Sequence, residues 1–161
     1  MLKHKPLYQA MQQAVSQTLE NMAFTEVLEH FDPDYEIPAT ELVWTSLLIS
    51  DPVQGEIRLA MSKTLLENLT ATIFALELEE ISPAQSKDII NELLNTIAGL
   101  FMTKLLEDDQ SYAIGLPHTG EGALPKLEET SIAWKLMTAD EEPLQLFAVG
   151  TSLVALNASA E

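Results

Sequence analysis

The stretch Ser86–Leu106, SKDIINELLNTIAGLFMTKLL, decides how the rest of the chain is read. With successive helical residues about 100° apart, Asp88, Glu92, Asn95 and Gly99 fall in one narrow stripe, and Ile90, Leu93, Leu94, Ile97 and Phe101 fall opposite it. A helix of this kind packs its apolar side on a sheet and turns the polar stripe outward. Ser82, Pro83 and Gln85 precede it as an N-cap hydroxyl, an N1 proline and a capping-box partner in register. The spacing therefore predicts a helix from Pro83 to about Leu106, ended by the acidic group Glu107, Asp108 and Asp109. Asp88 stands in its second turn, where the helix dipole modestly favours a negative charge. Gly99 costs about 1 kcal/mol relative to Ala inside a helix, which the close approach of another backbone or of a partner would explain.

Working outward, Leu7 to His30 carries Leu7, Met11, Ala14 and Met22 at helical spacing, with no Gly or Pro before Pro33. A long amphipathic helix is expected there, then a loop over Phe31–Pro38. Glu41–Ser50 and Val53–Met61 are strand-like and separated by Asp51 and Pro52, as in a half-buried hairpin. Ser62 is the expected N-cap of a helix over about Lys63–Leu78, with Glu77, Glu79 and Glu80 as its solvated end. After the central helix come strand candidates Tyr112–Leu116, Thr130–Thr138 and Leu144 to about Leu156. Gly115 to Pro125 should be a loop, Asp140 to Pro143 a turn, and Gly150 punctuates the last strand. Strands in groups between helices favour an α+β fold, with long helices packed on a mixed or antiparallel sheet. Both halves open with a long helix and continue into strands, so the fold is expected to be pseudo-symmetric. One domain over residues 1–161 is the simplest account.

Composition narrows the function. The chain has 161 residues, 47% hydrophobic and 20% charged, which is globular and long enough to bury a core. No apolar run reaches the roughly 18 to 20 residues of a spanning helix, and no apolar stretch follows Lys3, His4 and Lys5 as a signal peptide would require. A cytoplasmic protein is expected. There is no cysteine, hence no disulfide, thiol catalysis or thiolate metal site. Eight basic residues, Arg58 the single arginine, stand against twenty-five acidic ones, a formal net charge of −17. Nucleic acid and anionic membranes would be repelled by such a surface, and a protein partner suits it better. His4, His30 and His118 lack ligand spacing, and the glycines of Gly115–Gly122 lack the Lys and Ser/Thr of a phosphate loop, so no metal or nucleotide is expected. Trp44 and Trp134 occupy corresponding strand positions, where burial is expected. Met11, Met22, Met61, Met102 and Met137 are expected to fill core or interface.

Carboxylates and amides line the outer face of many amphipathic helices without chemical duty, and spacing alone leaves that reading open. The combination Asp88-x-x-x-Glu92-x-x-Asn95, extended by Gly99, resembles the active-site signature of the CheC, CheX and FliY chemotaxis phosphatases, closest to the CheX-like branch. The family pattern also carries a proline further on. Pro117 stands here after 21 intervening residues, one fewer than is usual. In the first helix, Ser16-x-x-x-Glu20-x-x-Ala23 repeats the frame with Ala where the second Asn would stand, which resembles the degenerate copy of a duplicated, pseudo-symmetric CheC-like fold.

The resemblance implies a phosphatase that hydrolyses the aspartyl phosphate of a CheY-like response regulator. Asn95 would position the attacking water, Glu92 would pair with the regulator's lysine, and Asp88 and Gly99 would support the contact. No cofactor of its own is implied, since Mg²⁺ is expected on the partner regulator. A homodimer is compatible with the resemblance, because CheX-like proteins commonly pair and a sheet edge needs cover. Two other classes stay open: a non-catalytic CheX-like module that binds or sequesters a signalling partner, and a structural domain related by fold only.

Overall fold

The computed structural model describes residues 6–127 and 130–159. Four helices, α1 (Pro6–Ala23), α2 (Lys63–Phe74), α3 (Pro83–Leu105) and α4 (Thr151–Ser159), contribute to a layer on one face of a seven-stranded sheet. The strands are β1 (Val27–Glu29), β2 (Leu42–Asp51), β3 (Gly55–Ser62), β4 (Ala113–Ile114), β5 (His118–Glu121), β6 (Ser131–Thr138) and β7 (Pro143–Val149). Their order is β1-β6-β7-β3-β2-β4, with β5 also on the outer edge of β2, and every pairing is antiparallel. The expected α+β architecture is therefore present, with the sheet wholly antiparallel.

Register aligns Thr45, Leu59, Leu146 and Trp134 in one row across β2, β3, β7 and β6, all at 0% exposure beneath the helices. Strand alternation then puts Leu42, Ala60, Phe147 and Val149 on the opposite face, where Ile37, Tyr35, Leu124 and Leu127 from loops pack over them. Arg58 is buried on this second face. Its guanidinium pairs with Glu56 at 2.7 Å and donates to the Pro125 carbonyl at 2.7 Å, so its charge is not left alone in the interior.

Several boundaries differ from the sequence expectation. The first helix stops at Ala23, not near His30. Phe24 turns left-handed (φ 53), the Phe24 and Thr25 amides close back on Glu20 and Leu19, and the chain enters β1, which pairs with β6. The second helix stops at Phe74, where Ala75 adopts φ 56, and Glu77 with Glu80 closes a separate short turn by a capping box. Part of the loop expected over Gly115–Pro125 is strand β5, because the ten-residue β2 offers an edge that β4 alone leaves half unpaired. The strand expected over Leu144–Leu156 is two elements. Gly150, at φ 118, is the one residue type that takes that turn without strain, and α4 follows with Leu153 fully buried.

Trp134 is fully buried, its indole N–H donating to the Tyr8 carbonyl at 3.1 Å and its ring stacked 5.6 Å from that of Tyr8. Trp44 is only half-buried and lies on the other face, so the two tryptophans are not equivalent. Gly120 lies on the Trp44 ring so closely that a Cβ there would collide with it. His30 stacks on Tyr35 and Phe31, His118 stands edge-on to Trp44, and His4 lies outside the described residues.

Candidate functional site on the outer face of α3

The capping box at the start of α3 forms as its sequence predicts. Ser82 Oγ accepts from the Gln85 amide at 3.1 Å, and Gln85 Oε1 accepts from the Ser82 amide at 2.9 Å. From there Ile89, Ile90, Leu93, Leu94, Ile97, Ala98, Phe101 and Met102 face the core. At about 25 cal/mol per Å² of apolar surface, each of these side chains except that of Ala98 contributes roughly 1.5–3 kcal/mol toward holding the helix in place. A polar contact ties the same helix to the sheet. Asn91 Oδ1 accepts from the fully buried Thr45 hydroxyl on β2 at 2.8 Å. Nothing in the spacing singled out Asn91, because its partner lies 46 residues away.

With the helix so fixed, Asp88, Glu92 and Asn95 are exposed and Gly99 is half-buried along one line. The structure thus brings the four expected residues onto a single outward ridge. The Asn95 amide makes no hydrogen bond among the described residues, and Glu92 has only the Thr96 hydroxyl at 3.5 Å, the outer limit of such a contact. Both side chains are free to meet a partner. A Cβ built on Gly99 would find the Tyr112 hydroxyl at 3.5 Å, an ordinary contact, so no crowding inside the chain demands glycine there. Pro117 is half-buried immediately before β5.

The ridge is not a pocket. A cleft of about 600 Å³ does open where the first turns of α2 and α3 meet β2 and β5, lined by Leu66, Ile81, Ile90 and the Lys63–Glu121 pair (3.3 Å). Glu92, Asn95 and Gly99 do not line it. Among the described residues no three His, Asp or Glu side chains converge as a metal ion would need, and no helix is long and apolar enough to cross a membrane.

The first helix lies against α3 and carries the second frame differently. Glu20 is exposed and Ser16 half-buried, but Ala23 is 2% exposed and is the last residue of α1. Where α3 runs on for ten residues beyond Asn95, from Thr96 to Leu105, α1 has already ended at the corresponding position.

The chain resembles known proteins in sequence and in fold. The family model for the chemotaxis phosphatase CheX matches residues 45–137, which include most of β2 and all of β3, α2, α3 and the ridge. CheX from Vibrio vulnificus superposes with a TM-score of 0.71 at 13% identity, over 89% of this chain and 95% of that one. CheX in the CheX–CheY–BeF₃–Mg²⁺ complex from Borrelia burgdorferi gives 0.64 at 20% identity, over 88% and 95%. FliY from Thermotoga maritima gives 0.68 at 12%, over 95% and 90%. No curated protein sequence matches the chain. The solved structures share the helix-covered antiparallel sheet, and the family model covers more than half of the residues: the chain belongs to the CheX family of chemotaxis phosphatases.

Proposed function

We propose that the protein hydrolyses the aspartyl phosphate of a CheY-like response regulator in the cytoplasm, with Asn95 and Glu92 as the residues that carry the activity. The observation behind this reading is the ridge. An exposed carboxylate and an exposed, unengaged amide stand one helical turn apart on the rigid outer face of α3, inside the segment that matches the phosphatase family. A CheX relative has been seen bound to CheY carrying BeF₃ and Mg²⁺, and a ridge fits insertion into such a partner better than it fits binding a free small molecule.

The chemistry follows from what each side owns. An acyl phosphate is hydrolysed when water attacks phosphorus in line with the leaving carboxylate, which departs with the electron pair while the water's proton passes to solvent or phosphate. The regulator supplies Mg²⁺ and a lysine that balance charge on the phosphoryl oxygens. What it lacks is a fixed nucleophile. An amide is no base near neutral pH, but its carbonyl accepts from a water while its NH₂ anchors the geometry, which converts random encounter into held approach. Glu92 pairs with the regulator's lysine and sets the register of docking. Asp88 and Gly99 lie at either end of the contact. Ser16, Glu20 and Ala23 form a copy without activity.

Phosphate release from a regulator charged by a small phosphodonor tests this reading. The parent protein should accelerate release, and Asn95→Ala should lower kcat by about a hundredfold, the scale of losing one positioning group. A parent that binds the charged regulator without accelerating release would instead make the protein a sequestering module.

A further inference from the structure

Gly99 is an unexplained cost. Glycine inside a helix is unfavourable by about 1 kcal/mol, yet apart from the helix's own backbone the Tyr112 hydroxyl is all that a Cβ would meet within 4 Å among the described residues. A notch therefore opens on the ridge one turn beyond Asn95, and a phenol hydroxyl borders it. Tyr112 comes from the segment that folds back after α3 and enters β4. It is 36% exposed, and its hydroxyl has no hydrogen-bond partner among the described residues. The segment is well held, since β4 pairs with β2 at Ile49 and Asp51 and the Gly115 amide donates to the Leu48 carbonyl at 2.7 Å.

We propose that Tyr112 is a docking residue for the regulator: its hydroxyl, bordering the Gly99 notch, donates to a backbone carbonyl of the receiver domain that settles into the notch and so strengthens the docked contact beside the Asp88–Asn95 ridge. The inference rests on the phosphatase reading above. A tyrosine suits the task because its ring is stiff, with two side-chain torsions, and its one polar atom stands at the tip. The occupant is a receiver domain, because the notch continues the line of Asp88, Glu92 and Asn95, and a backbone at Gly99 is the contact a missing side chain admits. The hydroxyl stands off the reacting atoms, so its loss should weaken binding and spare the chemical step.

The experiment uses the full chain, Tyr112→Phe, and a receiver domain loaded with Mg²⁺ and beryllofluoride, which takes the place of the phosphoryl group. Tyr112→Phe keeps the ring and removes the donor. Its Kd for the loaded receiver and its KM for the phosphorylated one should both rise by about three- to tenfold, the size of one net hydrogen bond. Its kcat at saturation and its melting temperature should stay those of the parent. A parent that turns over the regulator, with an unchanged Kd in Tyr112→Phe, overturns this proposal alone. So does a fall in kcat at unchanged Kd, which would move the hydroxyl into the chemistry. A parent that neither binds nor dephosphorylates any cognate receiver overturns both this proposal and the phosphatase reading.

Discussion

Replacing Gly99 by alanine should make the protein more stable and worse at its task. The position is helical, with ordinary negative φ, so no backbone strain opposes a side chain. The added methyl would stand 3.5 Å from the Tyr112 hydroxyl, which is van der Waals contact rather than overlap. The gain is therefore the helix-propensity difference, about 0.8–1 kcal/mol, most of it from the smaller conformational freedom of the unfolded chain. For a domain of this size that raises the melting temperature by about 2–4 °C. Urea denaturation at fixed pH would show the midpoint rising at unchanged slope. Regulator affinity should move the other way. A methyl forced into a packed interface costs about 1–3 kcal/mol, or roughly 5- to 150-fold in Kd. A destabilised Gly99→Ala would mean that the chain itself needs the glycine, and a stabilised variant with unchanged affinity would mean that no partner approaches there. Either result breaks the link between glycine and docking.

Two further perturbations probe the rest of the fold. Ala23→Asn should restore no turnover to an Asn95→Ala protein, because that position is 2% exposed at the end of α1; the buried amide should cost about 1–3 kcal/mol, read by urea denaturation. Tyr8 titrates above the usual phenol range because burial disfavours its anion, with the Glu29 carboxylate and the hydrogen bond to it at 3.2 Å adding to the effect. The neutral phenol is favoured by folding, so this contribution is complete below about pH 10, where the unfolded phenol ionises, and is lost as pH rises through the folded value. The urea midpoint should fall in that alkaline window, and less steeply in Tyr8→Phe.

What could be read beforehand was whatever is written locally. The capping box of Ser82 and Gln85, the apolar side of α3 and the outward line from Asp88 to Gly99 depend on residues within a few turns of one another, and all appear where their spacing puts them. Helix ends were less legible. Phe24 and Ala75 are left-handed without being glycine, and neither residue type announces that conformation. Gly150 was visible as punctuation, but whether strand or helix follows it depends on the buried seat of Leu153, a tertiary matter. Asn91 and Tyr112 escaped altogether. The hydroxyl that holds Asn91 is Thr45, and the neighbour that gives Tyr112 its place is Gly99; both pairings exist only once β2 has chosen its partners.

That dependence on β2 has a mechanical consequence. One strand holds α3 through the Thr45–Asn91 hydrogen bond and holds the Tyr112 segment through its pairing with β4. The Asn95 amide and the proposed docking hydroxyl of Tyr112 are thus referred to one strand. On the proposed docking, such an arrangement helps, because the tolerance that matters is the offset between two points of contact and not the absolute position of either. Substitutions that slide β2 against β3 would act on both, whereas loss of the Thr45 hydroxyl would act on α3 alone.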